Sequence, residues 1–122
     1  MVIIDTNILI EISRNNKAVI KKCEEIKSEN ICITPVSVAE FINGTGNKAT
    51  YKKAEKLLAG FLVLEFDKGV SELFLANYKK YWLSHHPSIP DMLIAAMALH
   101  YKLPLYTLNT KDFRYIKGLK LV

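Results

Sequence analysis

Val2-Ile3-Ile4-Asp5-Thr6-Asn7 opens the chain: three β-branched residues in a row, then an acid and two short polar side chains. The first three favour an extended strand. The polar trio marks where that strand stops, and Asp5 can accept hydrogen bonds from the free amides of a helix starting at about Asn7. Outward from this point the same alternation repeats. Helical segments read over about 7–13 and 17–28, the second with Val19, Ile20, Cys23 and Ile26 on one face. Ile31-Cys32-Ile33 is a second strand. Thr34-Pro35 then starts a helix through Glu40 to Ile42, because the hydroxyl caps free amides and a proline in the first turn forfeits no hydrogen bond.

Asn43-Gly44-Thr45-Gly46-Asn47 tolerates left-handed backbone and ends that helix, and a lysine-rich helix follows over about 49–59. Residues 61–66 read as a third strand and 67–81 as a long helix. The segment 83–90, with two histidines and two prolines, separates it from an apolar helix beginning near Asp91. Residues 105–108 read as a fourth strand, 112–116 as a helical turn and 119–122 as a last strand. Short strands alternating with longer helices predict an α/β domain with a parallel sheet, and 122 residues suit one domain, 1–122.

Half the residues are apolar and about a quarter charged, a globular profile far from that of a disordered chain. The 17 lysines and arginines outnumber the 12 acids and leave a formal charge of +5, which favours an acidic partner such as nucleic acid. Cys23 and Cys32 stand nine apart with no Cys/His pattern for zinc or redox work, so both read as reduced and structural. No basic leader precedes Val2, and the longest apolar run, 92–99, is far short of the roughly 20 residues that span a bilayer. The expectation is a cytoplasmic protein with no membrane role.

Ligands of open α/β sheets bind beyond the carboxyl ends of the strands. Four places in the sequence fall there: Asp5-Thr6-Asn7 after the first strand, Glu40 in the helix after the second, Asp91 at the start of the apolar helix, and the stretch from Asn109 to Asp112 after the fourth. Asp5 and Asp91 taken singly are also good helix caps. Glu40 sits among Val36, Val38, Ala39, Phe41 and Ile42, which predicts partial burial and a need for a partner. If these acids converge, two charges ~4 Å apart repel by ~4 kcal/mol at an effective dielectric of ~20, and only Lys111 lies nearby in sequence to offset them. A divalent cation would do so. Oxygen ligands without His or Cys suit magnesium or manganese.

These residues resemble the PIN-domain nucleases, and within them the VapC-like toxins of toxin–antitoxin pairs. Ile3 to Leu9 is similar to the family's opening strand and first acid, Thr34 to Phe41 to its second-acid helix, Asp91 to Ala98 to its third-acid helix, and Thr107 to Phe113 to its closing motif. The resemblance implies a PIN-like, flavodoxin-like three-layer α/β fold with a central parallel sheet of four to five strands. It implies a catalytic set of Asp5, Glu40 and Asp91 around Mg2+ or Mn2+, one ion or two, with Asn109 or Asp112 as the further metal ligand. Thr6, Asn7 and Thr107 would orient those ligands. The implied function is a metal-dependent endoribonuclease with an RNA substrate, a cognate antitoxin protein and a homodimeric state. The alternative is a PIN-fold module that has lost catalysis and only binds RNA or protein. A phosphatase with an aspartyl nucleophile lacks its usual Asp-x-Asp, since position 7 is Asn.

His85 and His86 read as exposed loop residues, and Lys48, Lys52, Lys53 and Lys56 as a solvated helix face. Tyr78, Tyr81 and Trp82 read as core or dimer surface.

Overall fold

A computed structural model of the chain describes residues 1–122. Strands β1 (Val2–Ile4), β2 (Ile31–Ile33), β3 (Leu62–Val63) and β4 (Leu105–Tyr106) form one sheet in the order β3-β2-β1-β4. Every pairing is parallel, with Ile3 opposite both Cys32 and Leu105. Helices α1 (Thr6–Ser13) and α2 (Lys17–Ile26) connect β1 to β2, and α3 (Pro35–Asn43) and α4 (Lys48–Leu58) connect β2 to β3. Helices α5 (Lys68–His85) and α6 (Ile89–Tyr101) carry the chain across to β4. The architecture is α/β with a parallel sheet, as the alternation of strand and helix patterns predicts.

The two-residue period of the strands divides the core into two layers. Ile3, Cys32 and Leu105 point to one face, where they meet Met92, Ala95 and Ala98 of α6, Tyr81 of α5, and Phe113. Ile4, Ile31, Ile33 and Tyr106 point to the other, against Ile8, Leu9 and Val19 of α1 and α2 and Leu58 of α4. Helix α6 lies between the sheet and α5, with Val70 packed against its far side beside Ala96 and Met97. That sandwich explains why six of the seven residues from Met92 to Ala98 are buried.

Several element boundaries differ from the sequence expectation, each for a local reason. Helix α5 continues to His85, four residues past Tyr81, because nothing breaks it until His86 turns left-handed at φ 46° ahead of Pro87. Helix α6 starts at Ile89 with Ser88 as its cap and Pro90 in its first turn, the same arrangement as Thr34-Pro35 in α3. Pro90 therefore opens a helix rather than interrupting one. The third strand shrinks from 61–66 to Leu62–Val63, an exposed edge, and the expected last strand is a single bridge from Leu121 to Leu105. The helical turn expected at 112–116 is instead a 3-10 turn at Thr110–Asp112. Cys23 and Cys32 are both free thiols, Cys32 within the core.

Candidate acidic site at the carboxyl edge of the sheet

The strand order reverses direction at β1, so the crevice between β1 and β4 is the topological switch point where such sheets bind ligands. Asp5 is the first residue past β1 there. It is 4% exposed, and both carboxylate oxygens are engaged: Oδ1 accepts from the Thr6 amide at 2.7 Å and Oδ2 from the Thr107 hydroxyl at 2.8 Å. Asp5 thus caps α1 while its charge stays at the crevice. Thr107 follows β4, and its hydroxyl also accepts from Asn7 Nδ2 at 3.3 Å and from the Asn109 amide at 3.0 Å. Asn7 Oδ1 in turn accepts from the Leu108 amide at 3.3 Å, so β1 and β4 are laced together directly beneath Asp5.

Glu40 reaches the same region from α3, where Thr6 Oγ1 donates to its Oε1 at 2.7 Å and lies 3.0 Å from Ser37 Oγ. Contrary to the expectation from its apolar neighbours, Glu40 is exposed. Val36, Val38, Phe41 and Ile42 turn to the core, leaving Ala39 and Glu40 on the solvent side of the same helix. Asp91 occupies the first turn of α6, its amide donating to Ser88 Oγ at 3.2 Å. Burial pushes its carboxyl up to about 6, despite a hydrogen bond from Ser88, and the charges of Asp5, Asp112 and Glu40 push the same way. Burial likewise raises Asp5, the hydrogen bonds from Thr107 and Thr6 oppose it, and Glu40 and Asp112 add to the rise.

Asp5, Glu40, Asp91 and Asp112 therefore share one electrostatic field. None of them takes part in an ion pair: the three in the protein join Arg14 to Glu11, Lys68 to Glu72 and His100 to Asp67. Lys111 does not neutralise the cluster. At the fourth corner, Asp112 supplies charge that reaches both Asp5 and Asp91, whereas Asn109 contributes its backbone amide to Thr107. No three acid, histidine or cysteine side chains are drawn together tightly enough to form a ready metal-holding group. Uncompensated carboxylates repel, and an open spacing is the geometry expected of them without a counter-charge. The donor set, four carboxylates with oxygen-bearing Thr6, Asn7 and Thr107 behind them, fits a hard divalent ion.

Glu40 also forms one wall of a groove of about 460 Å³ between α1, α3 and α4, with Ile10, Phe41 and Leu57 along it and Arg14 and Lys53 at its rim. The lysine-rich face of α4 thus borders the site through Lys53. On the opposite flank stand His85 and Tyr115, whose rings stack with centroids 3.8 Å apart. No sequence pattern marks that pair, because its members are 30 residues apart and meet only where the C-terminal segment packs on α5 through Tyr81. His85, expected in a loop, is the last residue of α5, while Tyr81 is buried in the core and Trp82 is exposed.

A family model for the PIN domain matches residues 2–119. The chain belongs to the PIN-domain family. Solved structures share the fold of this PIN domain over nearly its whole length. A chain of VapBC-1 from nontypeable Haemophilus influenzae is 24% identical, with a TM-score of 0.85 over 100% of this chain and 97% of that one. A chain of a toxin–antitoxin complex from Klebsiella pneumoniae is also 24% identical, with a TM-score of 0.82 over 98% and 95%. VapBC2 from Rickettsia felis, bound to a DNA fragment from its promoter, gives 21% identity and a TM-score of 0.85 over 100% and 98%. Among curated proteins no relative matches. At these identities the likeness establishes the PIN fold. No helix of this PIN domain is long and apolar enough to cross a membrane.

Proposed function

We propose that this PIN domain is a magnesium- or manganese-dependent endoribonuclease and the toxin of a toxin–antitoxin pair. One observation carries the enzymatic part: four carboxylates without a cationic partner face one crevice at the sheet's switch point. Asp5, Glu40, Asp91 and Asp112 would hold the metal, with Asn109 able to add a carbonyl oxygen. A divalent ion bound there would neutralise the carboxylates, activate water and stabilise the oxyanion formed as a phosphodiester is cut. The chain's own groups do the rest. Thr107 and the Thr6 amide fix the rotamer of Asp5, and Thr6 turns Glu40 toward it. Asn7 locks Thr107 in place. Arg14 and Lys53 at the rim of the Glu40 groove supply positive charge for RNA phosphates next to an otherwise acidic centre.

The toxin part draws support from the solved neighbours, which are toxin–antitoxin complexes, and it brings a protein antitoxin as partner. A homodimer belongs to the same reading, and exposed Leu75, Trp82 and Leu83 give α5 an apolar side suited to a second copy. The test is cleavage of single-stranded RNA in magnesium or manganese. Asp5→Asn and Asp91→Asn should each reduce cleavage to background with an unchanged circular dichroism spectrum. Full activity in either variant would sink the site assignment.

The second reading, a module that binds RNA or protein without cutting, is favoured by the open spacing of the acids. Calorimetric titration separates the two. The enzyme should bind manganese in a manner that depends on Asp91, and the binding module should show no such heat.

A further inference from the structure

We propose that His85, stacked on Tyr115, is a platform on which an unpaired base of the RNA next to the cut phosphate stacks. The inference rests on the RNA reading above and adds a positioning residue that lies outside the acidic cluster. The imidazole and phenol rings are nearly parallel, 8° apart with centroids at 3.8 Å. Tyr81 meets both edge-on, at 5.9 Å from His85 and 5.1 Å from Tyr115, and its own hydroxyl accepts from the Lys117 amide at 3.0 Å. Ser84 Oγ lies 2.7 Å from His85 Nδ1 and fixes the ring's rotation. His85 is nonetheless exposed, while Tyr115 beneath it is half-buried. The result is an aromatic face presented to solvent and held from behind and from the side.

Its position gives that face a purpose. Tyr115 lies three residues past Asp112, and the charges of Asp91 and Asp112 both act on its phenol. From His85 the chain runs through His86 and Pro87 directly to Ser88, the cap of the helix that carries Asp91. The ring pair therefore bridges the two arms that bring Asp91 and Asp112 to the crevice. RNA whose phosphate sits among the carboxylates must place a neighbouring base close to them. A base in a duplex already has both faces covered, whereas an unpaired one gains by stacking on a rigid exposed ring. Stacking is tolerant of base identity, so the platform selects for single-stranded character rather than for a letter.

The experiment is fluorescence anisotropy of end-labelled single-stranded RNA, measured in the Asp91→Asn background so that the oligonucleotide stays intact. The same strand is also made with single abasic sites walked along it. His85→Ala should weaken binding about tenfold, and His85→Phe, which keeps a flat ring, should recover most of the loss. An abasic site at one position beside the cleavage point should weaken binding to the His85 form and have no effect on the His85→Ala form. Unchanged affinity on His85→Ala, or an equal abasic penalty in both forms, overturns the proposal. So does a fall in melting temperature with no change in the abasic pattern, which would make the stack a strap for the C-terminal segment, and so does an absence of RNA binding. Cleavage by the unaltered protein is read separately. If it cuts no RNA while one fixed abasic position keeps its His85-dependent penalty, the nuclease reading fails and the platform stands as an RNA-binding element.

Discussion

At Asp5 one side chain serves two purposes that pull against each other. As a helix cap it favours a negative charge at the start of α1, yet 4% exposure and the charges of Glu40 and Asp112 disfavour that charge. The Thr107 hydroxyl is the main group holding it ionised. Removing that hydroxyl while keeping the shape, in Thr107→Val, should raise the Asp5 pKa further. Activity that needs an ionised Asp5 is lost as pH falls, so the acid limb of the pH profile of kcat/KM should move to higher pH, with a larger deficit at pH 6 than at pH 8. An acid limb that stays in place, or moves down, would show that Thr107 does not tune Asp5. The Asp91 carboxyl, at about 6, is also raised, and the Thr107→Val shift is the means of telling the two carboxylates apart, because of the two Thr107 bonds only Asp5.

Among the elements, α6 is the most constrained, since it packs on the sheet through Ala95 and Ala98 and on the Val70 side through Ala96 and Met97. Small residues set how closely it approaches Ile3, Cys32 and Leu105. Ala95→Leu should overpack that layer and destabilise the domain by about 1–3 kcal/mol, seen as a lower urea midpoint with an unchanged slope. A neutral result would mean that the layer is looser than its complete burial indicates. The same helix shows what a sequence can and cannot disclose. Its apolar run makes its existence plain, but it starts two residues before Asp91, because Ser88 caps the first turn and Pro90 sits within it. Strands β1 and β2 are legible because three β-branched or apolar residues run directly into a polar stop, Asp5 and Thr34. The last strand expected at 119–122 reduces to one bridge, since pairing depends on a neighbour and β4 offers hydrogen bonds to only one residue's width of it. Asp5, Asp91 and Asp112 can each be picked out by their places after strands or at helix starts, and Glu40 as an acid in a mostly apolar helix. The exposure of Glu40 and the meeting of His85 with Tyr115 depend on helix rotation and a tertiary turn, which short-range patterns do not encode.

Across the whole molecule the acidic crevice is a cost that the rest of the fold offsets. Both Asp5 and Asp91 have carboxyl pKa values above the ordinary 3.8, so the folded protein holds their protons more tightly than the unfolded chain does. Their contribution to stability is greatest below that ordinary value and is lost as pH rises through the folded one, about 6 for Asp91. A two-unit shift corresponds to ~3 kcal/mol for a fully desolvated group, and half-burial with solvent screening brings it to about 1–2 kcal/mol. Metal-free protein should therefore gain stability from these groups between pH 7.5 and pH 5, even as other carboxylates elsewhere follow their own course. A cation bound at about a hundred times its Kd would add roughly 2.7 kcal/mol, and it can do so only where the acids are ionised. Manganese should thus raise the melting temperature by roughly 5–15 °C at pH 7.5 and far less at pH 5. The paired substitution Asp5→Asn with Asp91→Asn should raise the metal-free melting temperature at pH 7.5 and remove the manganese increment. If the doubly substituted protein melts lower than the original without metal, the acids serve the fold first, Asp5 as the cap of α1 and Asp91 in the first turn of α6. If it keeps the full increment, the ion binds somewhere other than this crevice.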